Sequence, residues 1–161
     1  MRSSCAFARW NGTSKSRIVN MWVNQQAAFA DDSKLHPGAD LWASAETTLG
    51  QKRGDCEDYA IAKRALILAL GMADSDMYLV IARDLVRRVD HAVLVVPSSS
   101  GYVVMDNGTD LLLAAERAAD YRPIFNFAGD RAWIHGRGTD RRLAATGRSS
   151  SPGRVVEVIG D

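Results

Sequence analysis

Three residue types that together perform nucleophilic chemistry lie in the middle of the chain. They are a cysteine in "RGDCEDYAIAK", a histidine opening "HAVLVV" and an aspartate closing "YVVMD". The thiolate is the reactive form of cysteine, and a carboxylate that holds one imidazole nitrogen leaves the other free to take the thiol proton. Cys56 stands where a helix begins, and the positive end of the helix dipole favours a thiolate. Its neighbours oppose one. Asp55 and Glu57 flank the sulfur, and nearby carboxylates disfavour a further negative charge. Either Cys56 is inert, or something offsets those charges.

Whether the three residues meet depends on the elements that carry them. "MYLVIA" (Met77 to Ala82), "HAVLVV" (His91 to Val96) and "YVVMD" (Tyr102 to Asp106) read as strands, the last two joined by "PSSSG" as a hairpin. If Val96 pairs near Tyr102, His91 falls opposite Asp106 or Asn107 at one end of the sheet. Asp90 would point to the other face, which leaves Asp106 as the better partner. His36, in a Pro-Gly loop, and His135, in "WIHG", have no carboxylate placed beside them by a predictable pairing.

The cysteine needs a helix to hold it. Asp55 is a predicted N-cap, with Asp58 completing a capping-box pattern, and Gly71 is a natural C-terminal stop. Between them "YAIAKRALILAL" is apolar on nearly every side except at Lys63 and Arg64, which predicts a helix buried at the centre of the domain. Upstream, "SRIVNMWVNQQAAFA" places Ile18, Met21, Trp22, Gln25 and Phe29 at helical spacing, an amphipathic helix whose aromatic residues belong to the core. "DDSKLHPGAD" reads as a loop and "LWASAETTLGQK" as a short helical turn. Downstream, "LLLAAERAA" reads as a short helix and "IFNFAGDRAWIHG" as a second hairpin turning at Ala128 to Asp130. Helices first and antiparallel strands afterwards give an α+β class, with the central helix packed on an antiparallel sheet.

A chain of 161 residues, 47% of them hydrophobic, suits one domain with a real core. The expected division is a flexible start over residues 1–15, a domain over 16–136 and a Gly-, Ser- and Arg-rich tail over 137–161. The net charge of +1 gives no field of the kind that would draw nucleic acid or an anionic membrane surface. The apolar run "ALILAL" is too short to insert in a bilayer, and "MRSSCAFARWNG" lacks the apolar middle section of a signal peptide. Cys5 and Cys56 are too few for a disulfide framework and lack the paired spacing of a zinc site.

The motifs "GDCEDYAIAK", "HAVLVV" and "VVMDNG", with "VNMWVNQQAAFADD" and "DLWASAETTL" before them and "YRPIFNFAGDRAWIHG" after, resemble the bacterial transglutaminase-like cysteine proteinases, the LapG-like periplasmic group. The resemblance covers roughly Val19 to Gly136. It implies a papain-like or transglutaminase-like fold and a Cys, His, Asp triad carried onto Cys56, His91 and Asp106. It also implies calcium held by acidic residues flanking the nucleophile, here Asp55 and Glu57. Hard carboxylate oxygens suit Ca²⁺, and a dication would cancel the potential that opposes the thiolate. The alternative is that Asp55 simply caps the helix while Glu57 and Asp58 occupy its first turn.

The implied activity is that of a cysteine peptidase working through an acyl-enzyme. Acyl transfer to an amine by the same triad, and a non-catalytic calcium- or protein-binding domain of the same fold, stand as alternatives. The family further implies a protein substrate such as a surface adhesin, a membrane receptor that sequesters the protease, a role in biofilm and a periplasmic location. Two departures concern the entry to the site. Ala45 stands where relatives often carry proline, and Lys52 where they often carry glycine. The backbone N–H of Cys56 is a candidate oxyanion donor, with Trp42 or Gln51 as side-chain candidates.

Overall fold

The chain is described by a computed structural model over residues 12–31, 42–136 and 156–160. In order, these form α1 (Gly12–Gln26), β1 (Ala28–Phe29), α2 (Ala45–Gln51), β2 (Arg53–Gly54), α3 (Cys56–Ala69), β3 (Tyr78–Asp84), β4 (Val89–Ser98), β5 (Gly101–Met105), β6 (Leu113–Ala114), β7 (Tyr121–Ala128), β8 (Arg131–Gly136) and β9 (Val156–Gly160). The loop expected over "DDSKLHPGAD" lies almost wholly outside the described residues, as do Cys5 and most of the expected tail.

Helix α3 is built as its sequence demands. Asp55 accepts from the Asp58 N–H at 3.3 Å while Asp58 accepts from the Asp55 N–H at 3.3 Å, so two N–H groups of the helix start are satisfied reciprocally. At the other end Gly71 takes a φ of +98°, and the N–H groups of Gly71 and Met72 close back on Leu68 and Ile67. That is the hydrogen-bond pattern of a glycine-terminated helix.

The sheet order is β6-β5-β4-β3-β7-β8-β9, antiparallel throughout except that β9 runs parallel to β8. On one face, Val19 and Val23 of α1 and Tyr59, Ala60, Ala62 and Ile67 of α3 pack with Leu79, Ala92, Leu94, Val96 and Met105 of the strands. The alternate residues Val80, Ala82, Val93 and Val104 form a smaller cluster on the opposite face. Alternation along each strand thus feeds two layers, and the α+β class holds.

Four expectations change. Helix α1 ends at Gln26 and turns the other way: Ser16, Val19, Asn20 and Val23 are buried, whereas Ile18 is 61% exposed, Met21 and Trp22 are exposed, and Phe29, exposed too, lies on β1. Asn20 faces inward, with Asn24 a turn further on, because their amide nitrogens have partners there, described below. The hairpin is one residue out of the expected register, Val96 pairing with Val103, because β4 runs on to Ser98 and only Ser99 and Ser100 make the turn. The segment 111–119 forms the short strand β6 and a single 3₁₀ turn, Ala115–Arg117, instead of a helix. Finally, Lys63 is wholly buried although it is charged in sequence, whereas Arg64 keeps partial exposure and pairs with Asp74 at 2.5 Å.

The approach to α3 is tight. A Cβ on Gly54 would stand 2.7 Å from the Asp58 Cβ and 3.1 Å from the Thr48 Cγ2, so this position admits only glycine without displacing the cap. Lys52, by contrast, adopts φ +54° and ψ +36°, the left-handed region that costs a β-carbon residue about 1–2 kcal/mol. The two positions predict opposite outcomes in urea unfolding. Gly54→Ala should destabilise the chain by about 1–3 kcal/mol through overpacking, and Lys52→Gly should stabilise it by about 1 kcal/mol.

Candidate active site

The first helical residue of α3 is Cys56, half-buried against the core. Its thiol donates to Glu57 Oε2 at 3.0 Å, and its sulfur accepts the Ala92 N–H of β4. The β4–β5 pairing ends at Leu94 and Met105, so β5 has left β4 before Ala92 is reached. The sulfur occupies the place the missing strand would have taken. Burial, followed by the hydrogen bond to Glu57, pushes the thiol up to about 12 against the opposing pull of the Ala92 N–H. In this state the sulfur keeps its proton at neutral pH.

His91 is the neighbour of Ala92 and is 4% exposed. The observed register sets Asp106 beyond Met105, two positions diagonally from His91 and on the same sheet face. Proximity therefore survives the register error, as a diagonal pair in place of a directly opposed one. His91 Nε2 lies 2.8 Å from Asp106 Oδ1. The ring nitrogen turned away from Asp106 is Nδ1, and it is the one left to act on a neighbouring group. Among the described residues Cys56 and His91 share no hydrogen bond, since the thiol proton is given to Glu57.

Asp106 is 6% exposed and receives more than the imidazole. The Tyr121 hydroxyl donates to Oδ2 at 2.6 Å, the Gly108 N–H donates to Oδ1 at 2.9 Å, and the Tyr121 ring stacks on His91 with centroids 5.7 Å apart. Burial pushes the carboxyl up, but the bonds from His91, Gly108 and Tyr121 outweigh it and hold Asp106 well below the usual carboxylate range. Tyr121 was not singled out from sequence. It arrives because β7 pairs with β3, which sets Tyr121 opposite Asp84 at the same end of the sheet as His91.

The inward polar face of α1 grips the loop that follows. Asn24 donates to the Asp106 and Thr109 carbonyls and to Asp110 Oδ1 at 3.0–3.1 Å, and Asn20 donates to the Thr109 carbonyl at 2.9 Å. These bonds explain why asparagines face inward on α1 where apolar residues were expected.

Around the cysteine, the acidic side chains are unequally committed. Asp58 accepts the Asp55 N–H and, at 2.7 Å, the Ala43 N–H, while one Asp55 oxygen serves the cap. Glu57 takes no part in the cap, and its carboxyl interacts with that of Asp55. Burial, then the Glu57 and Asp58 charges, push Asp55 up to about 7. Two neighbouring carboxyl groups are oxygen donors of the kind a hard cation takes. The described residues hold no group of three or more His, Cys, Asp or Glu side chains arranged around a metal, so backbone oxygens or water would have to complete a shell.

The other sequence candidates stand apart. His36 lies outside the described residues, and His135 on β8 has a buried Nε2 with no hydrogen-bond partner among them. Trp42 is exposed and meets Phe127 edge-on at 6.0 Å, and Gln51 is exposed at the end of α2. Within the described residues no helix is long and apolar enough to cross a membrane.

Known proteins share this arrangement of helices and sheet. Legionella pneumophila LapG in a calcium-bound form aligns with a TM-score of 0.67 and 25% identity over 75% of this chain and 67% of that one. An EGTA-treated LapG from the same organism aligns with a TM-score of 0.66 and 25% identity over 75% and 66%. The chain thus spans about two thirds of the length of these LapG chains. No curated protein matches it significantly. Residues 7–134 match the family described as bacterial transglutaminase-like cysteine proteinase, and with most of its length inside that match the chain belongs to this family.

Proposed function

We propose that the chain is a cysteine peptidase in which Cys56 is the nucleophile, His91 the general base and acid, and Asp106 the group that orients His91. The observation that carries this reading is the buried 2.8 Å contact from His91 Nε2 to Asp106, one residue from the N–H that touches the Cys56 sulfur. With Nε2–H held by Asp106, Nδ1 takes the thiol proton and the sulfur attacks the peptide carbonyl carbon. The carbonyl π-electrons move to oxygen, and the Cys56 N–H, unpaired within the first turn, is placed to donate to that oxyanion. Collapse breaks the C–N bond, His91 returns its proton to the leaving amine, and water then cleaves the thioester with His91 as base.

Glu57 opposes the first step as long as it accepts the thiol proton. Asp55 and Glu57 are the residues that would hold calcium, the cation named for the LapG relative. Bound there, calcium would supply two positive charges against the carboxyls that keep the thiol neutral. With its bond to Glu57 released, the thiol would have Nδ1 of His91 as its proton acceptor. A protein substrate follows from peptidase chemistry, and the resemblance points to a surface adhesin and to the periplasm.

Iodoacetamide tests the proposed nucleophile without a known substrate. With calcium present near pH 7, Cys56 should alkylate faster than an ordinary exposed thiol, and His91→Ala should slow it by about tenfold or more. A rate indifferent to His91 would sink the triad. With a peptide that is cut, mass spectrometry in the presence of a primary amine should find hydrolysed ends; amine adducts alone would make the chain an acyl transferase instead.

Metal dependence has its own signature. The folded value of Asp55 lies above its ordinary 3.8, so the folded chain binds the extra proton between about pH 4 and 7, and stability from this group falls as pH rises through that window. Calcium should therefore raise the thermal midpoint by several degrees at pH 8 and by less at pH 5, with reversal by EGTA. A midpoint unmoved by calcium at both pH values would exclude Asp55 and Glu57 as its ligands.

A further inference from the structure

Lys63 lies two turns along α3 from Cys56, is 0% exposed, and its ammonium has no hydrogen-bond partner among the described residues. Its Nζ stands over the Tyr59 ring, 5.8 Å from the centroid. An unpaired buried charge is among the costliest features a fold can keep. It is not isolated in kind. Along one stripe of α1, at spacings of four, Ser16 Oγ, Asn20 Oδ1 and Asn24 Oδ1 are also buried without partners. Helix α1 packs on α3 through Val19, Val23, Tyr59 and Ala60. The amide groups of the same two asparagines hold the Asp106–Asp110 loop.

We propose that Lys63 is a positioning residue, whose ammonium is the counter-charge that seats the Asp106–Asp110 loop against α1 and so keeps the Asp106 carboxylate in line with His91. The chemistry is complementary on each side. The ammonium brings three donors and a positive charge; the loop brings the carboxylates of Asp106 and Asp110, whose charges act on Lys63, and α1, packed on α3, carries three buried acceptors without partners. Burial lowers Lys63 to about 7, and the Asp106 and Asp110 charges oppose that fall. The loop carboxylates therefore already favour its charged form. Seating matters because Asp106 also takes its Gly108 bond from this loop, and its backbone carbonyl is held by Asn24. This inference rests on the triad proposed above.

Lys63→Met separates positioning from mere tolerance. If the amine has no role, replacing it with an apolar side chain of similar shape stabilises the fold and changes nothing else. If it seats the loop, the variant should keep or raise its thermal midpoint, yet its Gly108 amide should exchange about tenfold faster. Cys56 in that variant should alkylate with iodoacetamide about tenfold more slowly near pH 7 in calcium. A stable variant with both Gly108 exchange and alkylation unchanged overturns the proposal. Should Lys63→Met fail to fold, Lys63→Gln keeps a polar head without the charge and is read by the same two outcomes. His91→Ala is run beside them. If it leaves alkylation unchanged, the triad fails, and Gly108 exchange alone then decides the role of Lys63.

Discussion

An ionised carboxylate cannot be buried unless donors converge on it, and the architecture around Asp106 follows from that requirement. Strand β4 delivers His91, β7 delivers the Tyr121 hydroxyl, and the turn after β5 folds the Gly108 N–H back. Each donor comes from a different element, so the carboxylate knits together parts of the chain that no local rule connects. The end of the β4–β5 ladder is the geometric condition for all of it. Had β5 continued, Asp106 would be one more strand residue and the Ala92 N–H would be spent on the sheet.

The start of α3 carries a conflict that the rest of the fold does not relieve. The helix end offers positive potential to the sulfur, and the acidic cap and first turn take it back. Those same residues are structurally necessary. Asp55 and Asp58 satisfy each other's N–H groups, Asp58 ties down Ala43, and Gly54 is packed so closely beneath Asp58 that the cap has no room to shift. Glu57 is the one acidic neighbour with no part in the cap, and it is the one the thiol bonds. Cap and charge are thus divided between side chains, which leaves Glu57 free to change partner while the helix stays in place.

Local signals carried far in this sequence. Alternation gave β3, β4 and β5, and Asp55, Asp58 and Gly71 marked the ends of α3 where the hydrogen bonds put them. The nearness of His91 and Asp106 was legible because a hairpin constrains its own two strands, and a slip of one residue still left them neighbours. Tyr121 was not legible, because pairing of β7 with β3 is a long-range choice that neither segment announces. The face of α1 was misread for a different reason. Apolar spacing predicts burial only when the core is apolar, and here the partner of α1 is partly a loop whose carbonyls need donors.

Several departures from local preference surround the candidate site. Lys52 sits in a left-handed conformation just ahead of the cap, Asp55 is held near neutrality, Lys63 is a buried charge, and α1 turns asparagines inward. All four lie in elements that touch Cys56 or the Asp106 loop. The turn of the β7–β8 hairpin, by contrast, gives its left-handed position to a glycine: Gly129 takes φ +56°, where the sequence placed the turn. Four departures beside one thiol and one carboxylate are what is expected when a fold holds chemical groups in states that folding alone would not select.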